Sequence, residues 1–323
     1  MVATMNAAVV TSFDEPPHYL PFEIPRPFES DQELVEVLAA GLHPRVRTGA
    51  RGGHYTSTGV LPMIPGIDAV GRRADGTTVY FVSDDDVIGT MAERALADRR
   101  RSIELPESAD VAKVAAAMNP AMSAWVALRR RVPLQVGQSV LVLGATGNAG
   151  AMAVQIAKRL GAARVVGAGR DLDRLRLLPG VGADAVVRLS DDADATAAAL
   201  ADAAAEVDVV LDYLWGEPAQ RSIVALLTAR SDRSRALDWI QIGAVAGPTI
   251  ELPSVALRSA NLRIQGNGQG AVSPQAYLAE LPSLVDEIAA GTIAVDPVRR
   301  PLAEVEAAWC GADEPGTRTV LVP

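Results

Sequence analysis

Three glycines, Gly144, Gly147 and Gly150, interrupt the apolar stretch VLVLGATGNAGAMAVQIAKRLGA between Val140 and Ala162. They stand in a G-x-x-G-x-x-G spacing, after a run of strand-forming residues and at the opening of a helical pattern. Glycine lets the backbone approach a pyrophosphate, and a helix mouth offers unpaired N–H groups with a partial positive charge. The same spacing also suits a tight strand-to-helix corner that holds nothing, and it differs from the commoner G-x-G-x-x-G. Residues further on bear on which dinucleotide such a cradle takes. The next strand, ARVVGAG, ends at Gly169-Arg170-Asp171, where an acid usually reads a ribose 2′-hydroxyl. Here Arg170 occupies that point, Arg174 follows one helical turn later on the same side, and Arg188 comes after the third strand. Two guanidiniums converging on one phosphate ester predict NADPH. In the plainer alternative, Arg174 and Arg188 are surface residues and Asp171 is the ribose acid or a helix cap.

A phosphate cradle of this kind needs a buried strand before it and a helix packed closely after it. Residues 139–143 read as the strand, and Ala149, Met152, Ala153, Ile156, Ala157 and Leu160 form one apolar stripe of the helix. Strands and helices then alternate: strand 164–168, helix 171–178, strand 184–189, helix 193–205, strand 207–212, helix 217–229 and strand 237–243. That alternation predicts an α/β fold with a doubly wound parallel sheet. The first third is different, with short β-rich runs separated by glycine and proline, and Ala74-Asp75-Gly76 reads as a hairpin turn. SADVAKVAAAM reads as a helix with a serine cap, interrupted at Asn119-Pro120 and resumed in SAWVALRRR. Near the end, SPQAYLAELPSLVDEIAAG reads as one amphipathic helix, with Tyr277, Leu278, Leu281, Leu284, Val285 and Ile288 on its apolar face. The expected organisation is a dinucleotide-binding domain over 121–264, inserted into an irregular β-barrel built from 1–120 and 265–323.

Bulk properties narrow the function classes. The formal charge of −9 on 323 residues gives no domain-wide basic field for nucleic acid. The runs Arg99–Arg101 and Arg129–Arg131 read as solvated faces. Cys310 is the single cysteine, so no intrachain disulfide forms. The N-terminal residues lack a signal-peptide pattern, and no uncharged apolar run demands a membrane, so a cytoplasmic protein is expected.

The stretch NPAMSAWVALRRRVPLQVGQSVLVLGATGNAGAMAVQIAKRLGA resembles the cofactor domain of the medium-chain dehydrogenase/reductase superfamily, in its zinc-independent quinone oxidoreductase branch. LPMIPGIDAVGR, GTMAERALADRRRSIELPESAD, EVDVVLDYLWG and WIQIGAVAG extend the resemblance over most of the chain. It implies a Rossmann domain inserted into a GroES-like barrel. Zinc-dependent relatives carry a Cys ligand after the strand at 34–40 and a His-Glu pair in the proline-glycine segment. This chain has Gly41-Leu42-His43-Pro44 and Ile67-Asp68 at those places, and too few cysteines for a four-cysteine structural site. His18, His43, His54 and Asp68 remain as conceivable donors, and no metal is expected.

Without a metal to polarise an alcohol, the resemblance implies electron-poor substrates such as quinones and enones, reduced by hydride. It points to GLHPRVRTGARGGHYTS as lining the nicotinamide end, where relatives have Asn-Pro followed by Asp. Here His43-Pro44 and Val46 stand instead. His43 and Tyr55 are the candidate catalytic residues, each also open to a structural role in the barrel, and His54 is expected on a loop surface. Ser123 stands where relatives place Thr, within reach of the nicotinamide ribose or its phosphate. Asn148 and Ala149 would give backbone N–H groups to the pyrophosphate, and Leu214 with Trp215 would lie near adenosine and ribose. Gly243, Ala244 and Val245 would border the nicotinamide, with Asn267, between Gly266 and Gly268, closing the site. An enoyl-thioester reductase and a non-catalytic NADPH-binding sensor share these features. Relatives often pair through a sheet edge, and PTIELPSVAL is the stretch expected to serve a homodimer.

Overall fold

The computed structural model describes residues 3–53, 57–83, 85–268 and 270–323. The chain forms two compact units, Met1–Asn119 with Leu281–Pro323, and Pro120–Glu280. In the first, β1 (Thr4–Val9) pairs antiparallel with β2 (His18–Glu23). Next come β3 (Gln32–Gly41), helix α1 (Pro44–Ala50), β4 (Asp68–Arg72), β5 (Thr78–Val82), β6 (Arg94–Asp98) and β7 (Ser102–Glu104). The β4–β5 hairpin turns at Gly76, whose φ of 93° lies in the left-handed region, with Thr77 N–H donating to Asp75 Oδ1 at 2.9 Å.

Helix α2 (Val111–Val126) follows and runs through Pro120 without a break. The expected interruption at Asn119-Pro120 is therefore overturned. Met118, Ala121 and Met122 are all at most 2% exposed, and their packing outweighs the roughly 3 kcal/mol that an interior proline costs. Asp110, rather than Ser108, caps the helix, with its Oδ1 accepting from Ala112 N–H at 2.9 Å and Lys113 N–H at 3.1 Å. The helix continues into a wider π-turn over Ala127–Arg131. By length and composition Val111–Arg131 could cross a membrane, yet 78% of its apolar window is buried in the fold.

The second unit then alternates: β8 (Ser139–Leu143), α3 (Asn148–Arg159), β9 (Arg164–Gly169), α4 (Leu172–Leu177), β10 (Ala185–Arg188) and α5 (Ala193–Ala204). It ends with β11 (Val209–Asp212), α6 (Gly216–Ala229), β12 (Leu237–Gln241), α7 (Ser254–Arg258) and β13 (Leu262–Gly266). Among the described residues these strands make a six-stranded parallel sheet in the order β10-β9-β8-β11-β12-β13. Strands such as β8 and β11 are buried along almost their whole length, because helices cover both faces, so they read as unbroken apolar runs. Met152, Ala153, Ile156 and Ala157 of α3 are at most 2% exposed, and each large side chain so buried contributes about 1.5–3 kcal/mol. PTIELPSVAL does not form the expected edge: its last four residues begin the helix Ser254–Arg258, and β13 takes the edge position. Pro248 and Pro253 lack the N–H a ladder needs, and they bracket the β-branched pair Thr249-Ile250.

The tail supplies α8 (Pro274–Leu278), α9 (Leu281–Ala289), β14 (Asp296–Pro301), α10 (Val305–Cys310) and β15 (Thr317–Val322). The single helix expected over this tail is two. Pro282 restarts the chain in the first turn of α9, where the missing N–H costs nothing. In the first unit the strands order as β14-β15-β3-β4-β5-β7, with β6 also on β3. All these pairs are antiparallel except β14–β15. Its core gathers Val35, Val37, Leu42, Ile64, Phe81 and Met91. The architecture is thus a Rossmann-type parallel sheet inserted into an irregular GroES-like β unit.

Candidate active site

The carboxyl edge of the parallel sheet gathers most of the candidate residues. β8 is followed by Gly144, whose φ of 86° is open to glycine at little cost. The N–H groups of Gly144 and Ala145 both donate to Ala168 O at 2.9 Å, which ties this turn to the end of β9. A Cβ on Gly150 would stand 2.2 Å from Gly144 O, so only glycine lets α3 lie against the turn. Gly147 is exposed, and a Cβ there would meet only Gly144 O, at 3.5 Å. As the N-cap of α3 it offers no side chain to the first-turn amides, those of Asn148, Ala149 and Gly150. An uncapped helix mouth with its dipole pointing outward is an anion site in waiting.

Beyond β9 the three arginines lie close to Gly169 in chain or strand register. Arg170 follows it and is exposed, and Arg188 pairs with it across the β10–β9 ladder and is exposed too. Arg174, in the first turn of α4, donates to Thr146 O at 3.2 Å and so lies against the glycine turn. Asp171 is the N-cap of α4, accepting from Asp173 and Arg174 N–H at 3.0 and 3.1 Å, with its other oxygen 3.5 Å from Arg174 Nε. Its carboxylate thus serves as the helix cap.

The next strand end is organised by a residue the sequence reading missed. Asp212 closes β11 fully buried, and its Oδ1 accepts from Leu214 N–H at 2.8 Å and Trp215 N–H at 3.0 Å. Its Oδ2 accepts from Trp239 Nε1 at 3.0 Å. Burial raises its pKa despite these three donors. The carboxylate holds a strained corner, for Trp215 has φ 51° and ψ −158°, a conformation costing a bulky residue about 1–3 kcal/mol. Leu214, so placed, turns its side chain to the glycine turn: a Cβ on Gly144 would be 3.1 Å from Leu214 Cδ2.

Tyr213 was also missed. Its hydroxyl is 2.9 Å from Ser123 Oγ, and Ser123 Oγ donates to Pro120 O at 2.8 Å. Ser123 spends its one hydrogen on that carbonyl, so Tyr213 is the donor between them. Burial pushes the Tyr213 phenol above its ordinary pKa, partly offset by Ser123. Ser123 keeps one acceptor lobe, which suits a ribose hydroxyl better than a phosphate oxygen. Asn267, 9% exposed, donates from Nδ2 to Ser123 O at 2.9 Å, and its N–H donates to Gln241 O. Gly243 is held by its N–H to Asp212 O at 3.1 Å, while Ala244 and Val245 are exposed beyond it. Of Arg129–Arg131, expected to be solvated, Arg129 and Arg130 are exposed, and all three also brace this region. Arg129 and Arg130 bond Glu280, and Arg131 donates to Gly266 O at 3.0 Å and Ala271 O at 3.1 Å. A buried acid and two loop carbonyls need partners, and a π-turn that turns three successive arginines outward supplies them.

In the first unit, His43 is the N-cap of α1 and 3% exposed. Its Nε2 lies 3.1 Å from Asp68 Oδ1, and Tyr80 donates its hydroxyl to Asp68 Oδ2 at 2.9 Å. Tyr55 and His54 lie outside the described residues. His18, far along the chain from this group, pairs instead with Glu306 at 2.8 Å and Glu15 at 3.7 Å. These carboxylates raise its pKa.

A phosphate-ready helix mouth in a doubly wound sheet, joined to a GroES-like β unit, defines the architecture of a two-domain nicotinamide oxidoreductase. Residues 149–276 match the zinc-binding dehydrogenase family. The chain is 30% identical to the probable NADPH-dependent quinone reductase tdiC of Emericella nidulans, covering 99% of this chain and all of the relative. It is also 30% identical to a chloroplastic NADPH-dependent alkenal/one oxidoreductase of Arabidopsis thaliana, over 58% of this chain and 50% of that one. A mycobacterial protein solved in complex with NADPH shares the fold, with a TM-score of 0.77 at 21% identity over 99% of this chain and 100% of the other. The chain belongs to the medium-chain dehydrogenase/reductase superfamily, in its quinone oxidoreductase branch.

Zinc, named in the family description, does not fit the residues present. Among the described residues no group of three or more His, Cys, Asp or Glu could hold a metal ion. His43 and Asp68, the two donors in the relevant segments, bond each other, and Tyr80 takes the second Asp68 oxygen.

Proposed function

We propose that this chain is an NADPH-dependent reductase of quinones or α,β-unsaturated carbonyls that works without a metal. The observation that carries the reading is the uncapped mouth of α3 beside Gly144, flanked by three arginines around Gly169. In this reading the first-turn amides hold the pyrophosphate, and Arg170, Arg174 and Arg188 hold the 2′-phosphate. Ser123, Leu214, Gly243, Ala244, Val245 and Asn267 form the wall for ribose and nicotinamide. Bound NADPH supplies hydride to the electron-poor carbon or ring, which leaves an oxyanion on the acceptor. His43 supplies the proton that quenches it, with Tyr55 as a second polar contact. Residues 121–264 serve the cofactor, and 1–120 with 265–323 serve the acceptor. We further infer a cytoplasmic homodimer, formed where the open edge of β13 meets a second copy.

The test is loss of NADPH absorbance on adding small quinones and enones, with NADH and an enoyl thioester run alongside. We expect turnover with NADPH and a quinone or enone. Binding of NADPH without turnover of any acceptor would favour a sensor, and turnover of the thioester alone would favour the acyl reductase.

A further inference from the structure

We propose that Asp68 is a positioning residue that fixes the His43 imidazole with its proton on Nε2, so that His43 exchanges protons only through Nδ1. The proposal rests on the reading of His43 as the proton source and names the group that makes it one.

The chain Tyr80–Asp68–His43 is buried: the three residues are 0%, 2% and 3% exposed. Its members come from different elements that the fold brings together. Asp68 opens β4 and Tyr80 lies in β5, where the ladder pairs Asp68 with Val82 and Val70 with Tyr80, so the two side chains are diagonal neighbours on one face. His43 sits just beyond β3, held by its place at the start of α1 before Pro44. Two further bonds pin the backbone on either side. Thr90 Oγ1 donates to Asp68 O at 2.9 Å, and the buried Arg318 donates to Leu42 O at 3.0 Å. Arg318 also offsets the Asp68 charge, itself paired with Asp313 at 3.6 Å.

The hydrogen bonds then dictate the tautomer. With Asp68 as a carboxylate both of its oxygens accept, Oδ2 from the Tyr80 hydroxyl and Oδ1 from an Nε2–H of His43. Nε2 must therefore carry hydrogen in both the neutral and the charged ring. The single position whose proton comes and goes is Nδ1. During reduction the Nδ1–H bond breaks and an O–H bond forms on the acceptor oxyanion. The imidazolium becomes neutral imidazole with Nε2–H still on Asp68, and water later restores the Nδ1 proton. Hydride from the reduced dinucleotide supplies both electrons, so the step balances.

Asparagine at position 68 reverses this logic. Its oxygen can keep the Tyr80 bond while its NH2 donates to Nε2, which drives the proton to Nδ1 in the neutral ring. The experiment reads imidazole 15N shifts by NMR through a pH titration, with the chain's three histidines assigned through His18→Gln and His54→Gln. Quinone or enone turnover is measured in parallel for wild type, Asp68→Asn, His43→Ala and the double variant. We expect neutral His43 to be the Nε2–H tautomer in wild type and Nδ1–H in Asp68→Asn. We also expect kcat to fall about 10²–10⁴-fold in Asp68→Asn with KM little changed, and the double variant to be no slower than His43→Ala. Tyr80→Phe should keep the Nε2–H tautomer. A wild-type His43 found as Nδ1–H would overturn the proposal without any variant having to fold, as would an Asp68→Asn that matches wild type in tautomer and kcat. Full turnover by His43→Ala would instead remove the proton-source reading, and the spectra would then judge Asp68 by themselves.

Discussion

Substituting Gly147 and Gly150 separates a turn that holds phosphate from one that only turns. In Gly150→Ala the new methyl carbon would lie 2.2 Å from Gly144 O and 2.7 Å from Ala145 Cα, both backbone atoms. Ordinary carbon–oxygen contact needs more than 3 Å, so α3 must retreat by about 1 Å from β8, within a core that does not deform freely. That is overpacking, and it should cost about 1–3 kcal/mol or more, along with the cofactor site. Gly147→Ala is the opposite case. The φ of −80° suits alanine, and the methyl would meet only Gly144 O at an ordinary 3.5 Å. A weaker cap and a stiffer unfolded chain then oppose each other at about 1 kcal/mol each. Thermal unfolding should move by no more than about 4 °C. If the pyrophosphate lies over the helix mouth, however, the same methyl occupies its space. NADPH should then bind at least about tenfold more weakly, a loss of ~1.4 kcal/mol or more. Fluorescence titration with NADPH, beside a melting curve, reads both numbers on one sample. A Gly147→Ala variant that melts and binds like wild type would refute the cradle, however well Gly150→Ala behaves.

Three other substitutions test neighbouring parts. Arg170→Ala removes an exposed guanidinium and should weaken NADPH about 10–100-fold in titration while leaving NADH unchanged, whereas Arg174→Ala, which also loosens Thr146 O, should weaken both; equal losses for the two cofactors in Arg170→Ala would count against a 2′-phosphate there. Asp212→Asn turns an amide N–H toward one of three donors and should cost about 1–3 kcal/mol in thermal unfolding. Because burial raises the Asp212 pKa in the folded state, its contribution is full below the unfolded carboxylate value and is lost as pH rises through the folded one. The wild-type advantage over Asp212→Asn should therefore narrow with rising pH, and a widening gap would contradict the assignment.

What was legible in the sequence is what depends on local pattern. The stripe from Ala149 to Leu160, the glycine turn and the strand at 139–143 are fixed by burial on one or both faces, and burial writes itself into neighbouring residues. The site's polar contacts are not local. His43 meets Asp68 25 residues away, Ser123 meets Tyr213 90 away, and Asn267 reaches Ser123 across 144. No periodicity encodes such pairs. Asp212 did carry a signal, a carboxylate ending the otherwise apolar strand VVLD, where a buried charge must have a task. Pro120 misled for a related reason: propensity measures the helix alone, and tertiary packing decided against it.

The electrostatics of the cofactor end gain meaning from the rest of the chain. A net charge of −9 opposes a dinucleotide that carries several negative charges. At physiological salt the Debye length is about 8 Å, so most of those acids are screened from any one phosphate, and the local set decides. That set is favourable at the Gly169 corner: Arg170, Arg174 and Arg188 against Asp171 and Asp173. Asp171 has committed its oxygens to two amides and to Arg174, and Asp173 holds Arg176 at 2.8 Å. The fold thus neutralises the nearby acids with its own backbone and with one further arginine, leaving the corner positive on a negative protein. An attraction built this way is short-ranged, so under the proposed reading it would act on the ester at contact and do little to draw the dinucleotide from a distance.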